Sequence, residues 1–174
     1  MTTPTWSPRR LHAFDDAQID ELADVLIDCV EGGASVSFMH PLSRDRAVAF
    51  WRHVAQGVSA GERALLVAED ARGVCGTVQL VLDQPENQPH RADLSKLLVH
   101  RRARQGLGAA LMRAAETTAR ECGKTLLVLD TANGEAERLY ERSGWVRVGV
   151  IPGYALLPRG GLCSTTMYYR NLGG

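Results

Sequence analysis

The chain has 174 residues, of which 45% are hydrophobic and 23% are charged, and these values are typical of a globular domain rather than a disordered segment. Twenty basic residues balance twenty acidic ones, so the net charge of zero argues against bulk electrostatic binding of nucleic acid. We therefore expect a single domain over residues 1–174 with no nucleic-acid partner.

The sequence shows no sign of a membrane segment or of a metal site. No apolar run reaches membrane-spanning length, and the opening segment MTTPTWSPRRLHAF lacks the apolar stretch of a signal peptide. The four cysteines contain no CxxC pair, and the five histidines show no metal-binding spacing. We expect reduced thiols, a cytoplasmic protein without a membrane partner, and no metal.

The N-terminal part predicts a short strand over residues 9–14 and helices over 17–33 and 43–61. Apolar residues recur at helical spacing in the first helix, and Ser43 is positioned to cap the second. The stretch ASVSFMHPL, residues 34–42, separates the two helices and is too apolar for a merely solvated loop. This stretch is therefore a candidate for ligand contact.

The middle of the chain predicts a hairpin followed by a βαβ unit. Strands over 62–70 and 74–84 flank the turn ARG and form the hairpin. A strand over 91–99, a helix over 106–123 and a strand over 125–131 follow, so these two strands should run parallel with a right-handed crossover.

The C-terminal part predicts a short helix over 133–144 and two closing strands, WVRVGVIP and STTMYYRNL. Strands and helices therefore share one chain without strict alternation. The fold class is α+β, built on one mixed sheet.

The segment RRARQGLGAALM, residues 101–112, places a basic, glycine-rich turn before a helix. Free N–H groups and the helix dipole favour an anion there, and Gly106 and Gly108 let the backbone approach a ligand closely. Three arginines could pair with phosphate oxygens: Arg101, Arg102 and Arg104. The alternative is a solvated basic turn whose glycines serve packing. Neither GxGxxG nor GxxxxGK[ST] occurs.

A motif after the second parallel strand identifies a family resemblance. NGEAERLYERSGW fits N-x-x-A-x-x-L-Y-x-x-x-G-W from Asn133 to Trp145. Together with strand 91–99, the glycine turn and the element order, it resembles the Gcn5-related N-acetyltransferase (GNAT) superfamily. GGASVSFM, RADLSKLLV, LLVLDT and IPGYALLPRGGL are more narrowly similar to the tabtoxin-resistance proteins. The resemblance implies a mixed, mostly antiparallel sheet flanked by helices, with a central βαβ unit.

The resemblance also implies acetyl-CoA as cosubstrate and a set of residues that bind it. Pantetheine would lie along Leu98 and Val99, with Asn133 reaching it from the next helix. The pyrophosphate would lie over Arg104, Gln105, Gly106, Leu107, Gly108 and Ala109. Independently of the family, the position of Asn133 predicts a helix N-cap, and both roles are compatible.

The pyrophosphate loop departs from the family pattern Q/R-x-x-G-x-G/A. Counting back three residues from Gly106 gives Ala103, so the loop is one residue short against relatives that carry a further basic residue. Either Arg102 or Arg104 shifts into the basic role, or backbone N–H groups hold the pyrophosphate.

Three residues are candidates for catalysis. Asp93 is an acidic residue in an apolar strand, which suits a general base or an ion pair with Arg91 or Lys96. Asp130 ends a strand where open sheets place ligands, and its alternative role is to cap the next helix. Tyr140 by itself indicates core packing, whereas the family motif implies that it protonates the CoA thiolate.

The acceptor would contact two polar and aromatic segments, through Ser35, Phe38, Met39, Trp51 and Tyr154. The alternative is that Phe38, Met39 and Trp51 fill the core. The resemblance implies an amine or a toxin- or antibiotic-like β-lactam, and hence a resistance function.

Two other functions stay open: a peptide or protein N-terminal acetyltransferase, and a non-catalytic CoA-binding module. Both N-acetylation and O-acetylation fit this interpretation, and a homodimer is one assembly that we consider.

Overall fold

The computed structural model describes residues 6–103 and 106–173, and within them seven strands form one sheet in the order β1-β2-β3-β4-β5-β7-β6. The strands are β1 (Arg9–Leu11), β2 (Arg63–Asp70), β3 (Gly73–Val81), β4 (Arg91–Val99), β5 (Leu126–Thr131), β6 (Val146–Leu156) and β7 (Leu162–Asn171). The helices are α1 (Asp16–Glu31), α2 (Arg44–Ser59), α3 (Leu107–Glu121) and α4 (Gly134–Arg142). Only β4 and β5 pair in parallel among these strands, which confirms the mixed sheet with a central βαβ unit.

Side-chain caps begin three of the four described α-helices. Asp15 and Gln18 form a capping box at α1, because each side chain bonds the backbone N–H of the other residue, at 2.7 and 3.0 Å. Ser43 Oγ accepts the N–H of Arg46 at 3.3 Å, which confirms the predicted cap of α2. Asn133 caps α4 in the same way, so local sequence chemistry fixes where these helices begin.

Two hydrophobic cores lie on opposite faces of the sheet. Helices α1 and α2 cover the face that includes Leu65, Val67 and Leu98, which we call the α1/α2 face. Helix α3 and Tyr140 of α4 pack on the other face, against Leu66, Leu80 and Leu127 of the sheet. Each fully buried leucine contributes about 1.5–3 kcal/mol by leaving water.

Trp51 belongs to the core beneath α2. Its side chain is 0% exposed, and its ring packs edge-to-face on Phe50 with centroids 4.9 Å apart. Ala47, Trp51 and Val54 repeat at helical spacing and form the buried side of α2. Trp51 therefore has no surface to offer a ligand, and the structure favours the core alternative over the predicted acceptor contact.

The last two strands are longer than the sequence predicts. Tyr154, which follows the predicted strand WVRVGVIP, lies within β6, and the hairpin turn comes later, where the N–H of Leu157 donates to the carbonyl of Gly161 at 2.9 Å. Pro152 is tolerated because β6 is an edge strand, and its pairing with β7 shifts register between Ile151 and Ala155.

Candidate active site

Strands β4 and β5 separate beyond Asp93 and Val128, and we call the gap between them the cleft. The two strands pair only from Arg91–Leu126 to Asp93–Val128, so β4 has no strand partner on that side from Leu94 onward. A β-bulge in β4 sets Lys96 at φ 51° and places Lys96 and Leu97 opposite one residue of β3. The bulge reverses the side of the sheet that the following residues face. Leu94 packs under α3, whereas Leu98, which would share its face in a regular strand, packs under α1 and α2.

No side chain of the described residues caps the N-terminus of α3. Its N-cap residue is Gly106, which adopts a left-handed conformation with φ 79°, and the first turn carries no acidic residue. The first backbone N–H groups, from Leu107 to Ala109, are therefore available to an anion. A Cβ at Gly108 would lie 3.4 Å from Leu139 Cδ2, so the glycine leaves this space between α3 and α4 free of a side chain. Arg104 and Gln105 lie outside the described residues.

The two described arginines of the turn are engaged with the protein itself. Arg102 Nε bonds Asp70 Oδ2 at 3.0 Å and its Nη2 bonds the carbonyl of Val74 at 2.9 Å. Burial opposes ionisation of Asp70, but the hydrogen bonds from Arg102 and from the backbone of Arg72, together with the charges of both arginines, outweigh it and lower the pKa of that carboxyl. Arg101 forms an ion pair with Asp28 of α1. The expected pairing of Arg101 and Arg102 with phosphate is therefore not supported, and Arg102 does not replace the missing basic residue of the loop.

The predicted pantetheine contacts border the cleft. The side chain of Leu98 is buried at 2% exposure and Leu98 pairs with Thr77 of β3, whereas the carbonyl of Val99 accepts from Cys29 Sγ at 3.7 Å. Asn133 Oδ1 accepts the N–H of Glu135 at 2.8 Å, which confirms the capping role. Capping uses only the oxygen of this amide, and the NH₂ group makes no hydrogen bond with the part of the chain that the structure describes.

Asp130 lies at the carboxyl end of β5 and is exposed. Leu127 and Leu129 point into the core under α3, so the alternation of the strand places Asp130 on the α1/α2 face. Thr165 Oγ1 donates to Asp130 Oδ2 at 2.6 Å, and this hydrogen bond orients the carboxylate.

Asp93 occupies the last paired position of β4 and β5 and is already neutralised. It forms an ion pair with Arg91 and accepts a hydrogen bond from Gln84 Nε2 at 3.2 Å. The structure thus favours the ion-pair alternative with Arg91 for this residue, because Arg91 and Gln84 already occupy its two carboxylate oxygens.

Tyr140 is buried on α4, with its ring centroid 5.7 Å from that of Tyr168 and 6.0 Å from that of Trp145. Burial raises the pKa of Tyr140 well above its usual value, and the nearby Asp130 and Tyr168 add to this effect. Its hydroxyl makes no hydrogen bond with the described part of the chain. Tyr140 is therefore a protonated donor at neutral pH.

Two carboxylates of α4 hold that helix on the sheet. Thr166 Oγ1 donates to Glu137 Oε1 at 2.5 Å, and the hydroxyl of Tyr168 donates to Glu141 Oε1 at 3.0 Å. These bonds fix the position of Tyr140 relative to β5 and β7.

The segment between α1 and α2 reaches the β6–β7 hairpin. The N–H of His40 donates to the carbonyl of Pro158 at 2.8 Å, and Cys163 Sγ lies 3.8 Å from Ser35 Oγ. Phe38 packs edge-to-face on Phe50, with centroids 5.3 Å apart. Among the other predicted acceptor residues, Met39 and Tyr154 are exposed, at 41% and 54%.

Lys96 is a residue to which sequence reasoning assigned only an ion pair with Asp93. Its ammonium instead donates to Ser37 Oγ at 3.1 Å and lies 5.9 Å from the Phe50 ring centroid. The signal in the sequence was a lysine inside the apolar run RADLSKLLV.

No group of three or more potential metal ligands occurs among residues 6–103 and 106–173. None of the described helices is both long enough and apolar enough to cross a bilayer.

Comparisons with known proteins give one family and one fold. The family model described as acetyltransferase (GNAT) family matches residues 19–145. The YncA structure from Salmonella typhimurium, solved with its cofactor acetyl-CoA, has a TM-score of 0.78 and 20% identity, with 97% of this chain and 95% of that chain covered. Ribosomal-protein-alanine N-acetyltransferase from Brucella melitensis has a TM-score of 0.79 and 20% identity, with coverages of 94% and 98%.

A third similar structure is a GNAT superfamily phosphinothricin acetyltransferase from Sinorhizobium meliloti in complex with acetyl-CoA. Its TM-score is 0.78 and its identity 18%, with 97% of this chain and 89% of that chain covered. At these identities the likeness establishes the shared fold.

Proposed function

This chain belongs to the acetyltransferase (GNAT) family, and from that premise we propose that it transfers the acetyl group of acetyl-CoA to the amine of a small, toxin- or antibiotic-like acceptor in the cytoplasm. The single observation that carries the proposal is the uncapped first turn of α3 beside the unpaired edge of β4. The first turn of α3 offers N–H donors to an anion, and the unpaired edge of β4 offers backbone groups to an extended ligand.

The residues present fit the cosubstrate. The backbone N–H groups of Leu107, Gly108 and Ala109 would hold the pyrophosphate, and the backbone of Leu98 and Val99 would pair with pantetheine. The free NH₂ group of Asn133 would add one donor. When bound, acetyl-CoA would supply an activated thioester. The amine nitrogen of the acceptor forms a bond to the carbonyl carbon of the thioester, and the C–S bond breaks to release the CoA thiolate.

Asp130 and Tyr140 have complementary proton-transfer roles. Asp130, oriented by Thr165, takes the proton from the acceptor amine directly or through one water. Tyr140, kept protonated by its surroundings, gives a proton to the departing thiolate. A non-catalytic CoA-binding module would need neither group.

The acceptor side favours a small molecule over a peptide. The bonds from His40 to Pro158 and from Cys163 to Ser35 join the α1–α2 segment to the β6–β7 hairpin and narrow access to that side of the cleft. The narrower sequence similarity to tabtoxin-resistance proteins supports a toxin- or antibiotic-like acceptor. The test is CoA release with panels of amines, amino acids, β-lactams and N-terminal peptides. Release with peptides alone would contradict the small-molecule proposal.

Gly108→Asp is expected to abolish acetyl-CoA binding without unfolding the protein. In the wild type, acetyl-CoA at 100 times its Kd should stabilise the fold by about 2.7 kcal/mol. The variant should lose this stabilisation because a carboxylate stands where the phosphates bind. Without ligand it should remain folded, since an acidic residue in the first turn favours a helix by about 0.3–1 kcal/mol.

The neutral isostere Gly108→Asn separates charge from bulk and should retain part of the affinity. Thermal unfolding with and without acetyl-CoA, together with calorimetry, measures both variants. A wild-type Kd in folded Gly108→Asp would refute pyrophosphate binding at α3.

We also propose that β6 and β7 form the interface of a homodimer. Nine of the ten exposed large hydrophobic side chains in the described part of the chain lie on these strands or in their turn, with Val148 at 67% and Leu162 at 70% exposure. Because β6 ends the sheet, its outer N–H and C=O groups are also unpaired.

Val148→Asp is expected to convert this dimer into a monomer, because a charge would be buried in an apolar interface. Light scattering after size-exclusion chromatography measures the mass. Ala49→Asp, on the exposed side of α2, is the matched control and should leave the dimer intact. A wild-type protein that is monomeric at all accessible concentrations would exclude the interface.

A further inference from the structure

We propose that Lys96 forms an anion-binding subsite on the α1/α2 side of the cleft and selects acceptors that carry a carboxylate close to the reacting amine. The inference rests on the proposed acetyl transfer and deepens it by naming the chemical class of the acceptor. Its basis is the position of the ammonium group, its partial burial, and the absence of an ion pair to it among the described residues.

The β4 bulge places Lys96 in this position. Its φ of 51° is rare for a residue with a side chain, and Ser37, which receives its hydrogen bond, also has a positive φ of 78°. Two unusual backbone conformations on separate segments thus bring one ammonium and one hydroxyl to 3.1 Å. The ring of Phe50 lies on the same group at 5.9 Å from its centroid.

The ammonium has no anionic partner among the described residues. Ser37 Oγ accepts one of its three N–H donors, and none of the ion pairs of the described chain includes Lys96. Burial lowers the pKa of Lys96, and Arg63 acts in the same direction, whereas Asp130 opposes both. Lys96 is only partly buried, but its ammonium is removed from bulk water on the side of Ser37 and Phe50, and an anionic ligand would compensate its charge there.

A second cation strengthens the positive field on this face. Arg63 Nη1 donates to the neutral amide of Gln79 at 2.9 Å, and Arg63 also has no ion pair among the described residues. Asp130 supplies the opposite charge nearby. An acceptor with an amine directed to Asp130 and a carboxylate directed to Lys96 matches both charges, whereas an acceptor without the anion leaves Lys96 uncompensated.

The test compares α-amino acids with their carboxamides, which differ only in the anionic group. In the wild type, kcat/KM from CoA release should favour the carboxylate by roughly 10- to 100-fold, the scale of one charge-assisted hydrogen bond. Lys96→Met keeps the aliphatic stem and should remove this preference by raising KM for the carboxylate. Lys96→Arg should retain part of it.

Ser37→Ala is the matched control, because it removes the hydrogen bond to the ammonium and keeps the charge. It should preserve the preference, whereas a purely structural Lys96–Ser37 link would make Ser37→Ala and Lys96→Met equivalent. Melting temperature and acetyl-CoA binding verify that each variant is folded. Equal rates for carboxylates and carboxamides in the wild type, or an unchanged preference in folded Lys96→Met, would overturn the proposal.

Calorimetric binding of the same pairs separates this inference from the proposed function. If no small amine is acetylated, the proposed function fails, yet carboxylates that bind the wild type and not Lys96→Met would still support the subsite. Equal binding to both proteins, or no binding of any member of the panel, would overturn it.

Discussion

Tyr140→Phe is expected to lower kcat by roughly 10- to 1,000-fold while acetyl-CoA binding stays near the wild-type value. The leaving thiolate develops charge late in the reaction, so a donor placed there stabilises the transition state more than bound acetyl-CoA. The substitution keeps the ring packing with Tyr168 and Trp145, and the hydroxyl has no protein hydrogen bond in the described chain to lose. Stability should therefore change little. Steady-state kinetics and calorimetry on one preparation measure both quantities.

Tyr168→Phe is the matched control in the same aromatic group. Its hydroxyl donates to Glu141, so the variant should lose about 0.5–1.5 kcal/mol of stability and little of kcat. Normal turnover in Tyr140→Phe would remove that residue as the acid. Loss of acetyl-CoA binding would instead make it a structural residue of the cleft.

Asp130→Asn should lower kcat/KM by about 10²–10⁴-fold at neutral pH, because it removes the base that takes the proton of the amine. The asparagine keeps the shape of the side chain, and Thr165 can still donate to its carbonyl oxygen. The loss should shrink at alkaline pH, where a growing fraction of the acceptor amine is neutral without a base. A pH series of kcat/KM for both proteins measures this.

Asp93→Asn is the comparison that separates the two carboxylates. Because Asp93 is paired with Arg91 and bonded by Gln84, its substitution should affect activity much less than that of Asp130. Near-normal rates for Asp130→Asn across the pH range would assign the base role to water or to another group.

Features that depend on near neighbours in the chain are well predicted by the sequence. The βαβ unit, the Ser43 cap and the Asn133 cap all follow from periodicity and from side chains that bond backbone two or three residues away. Strand β4 was predicted with the observed bounds for the same reason, since its apolar run ends at clear breaks. The family motif likewise covers one continuous segment from Asn133 to Trp145.

Features that depend on partners distant in the chain required the tertiary structure. Arg102 is of a residue type that often binds phosphate, but it forms an ion pair with Asp70, which lies 32 residues away in the chain. Trp51 is of a residue type that often contacts ligands, but the packing of α2 on the sheet buries its side chain.

Lys96 is the clearest case of a residue whose contacts could not be predicted from the sequence. Its role depends on a bulge that register with β3 creates and on Ser37, 59 residues away. Chain order and periodicity thus determined the fold of this protein. The tertiary structure decided which charged residues form ion pairs within the fold and which are available to a ligand. The reason is that an ion pair forms with whichever opposite charge the packing brings close.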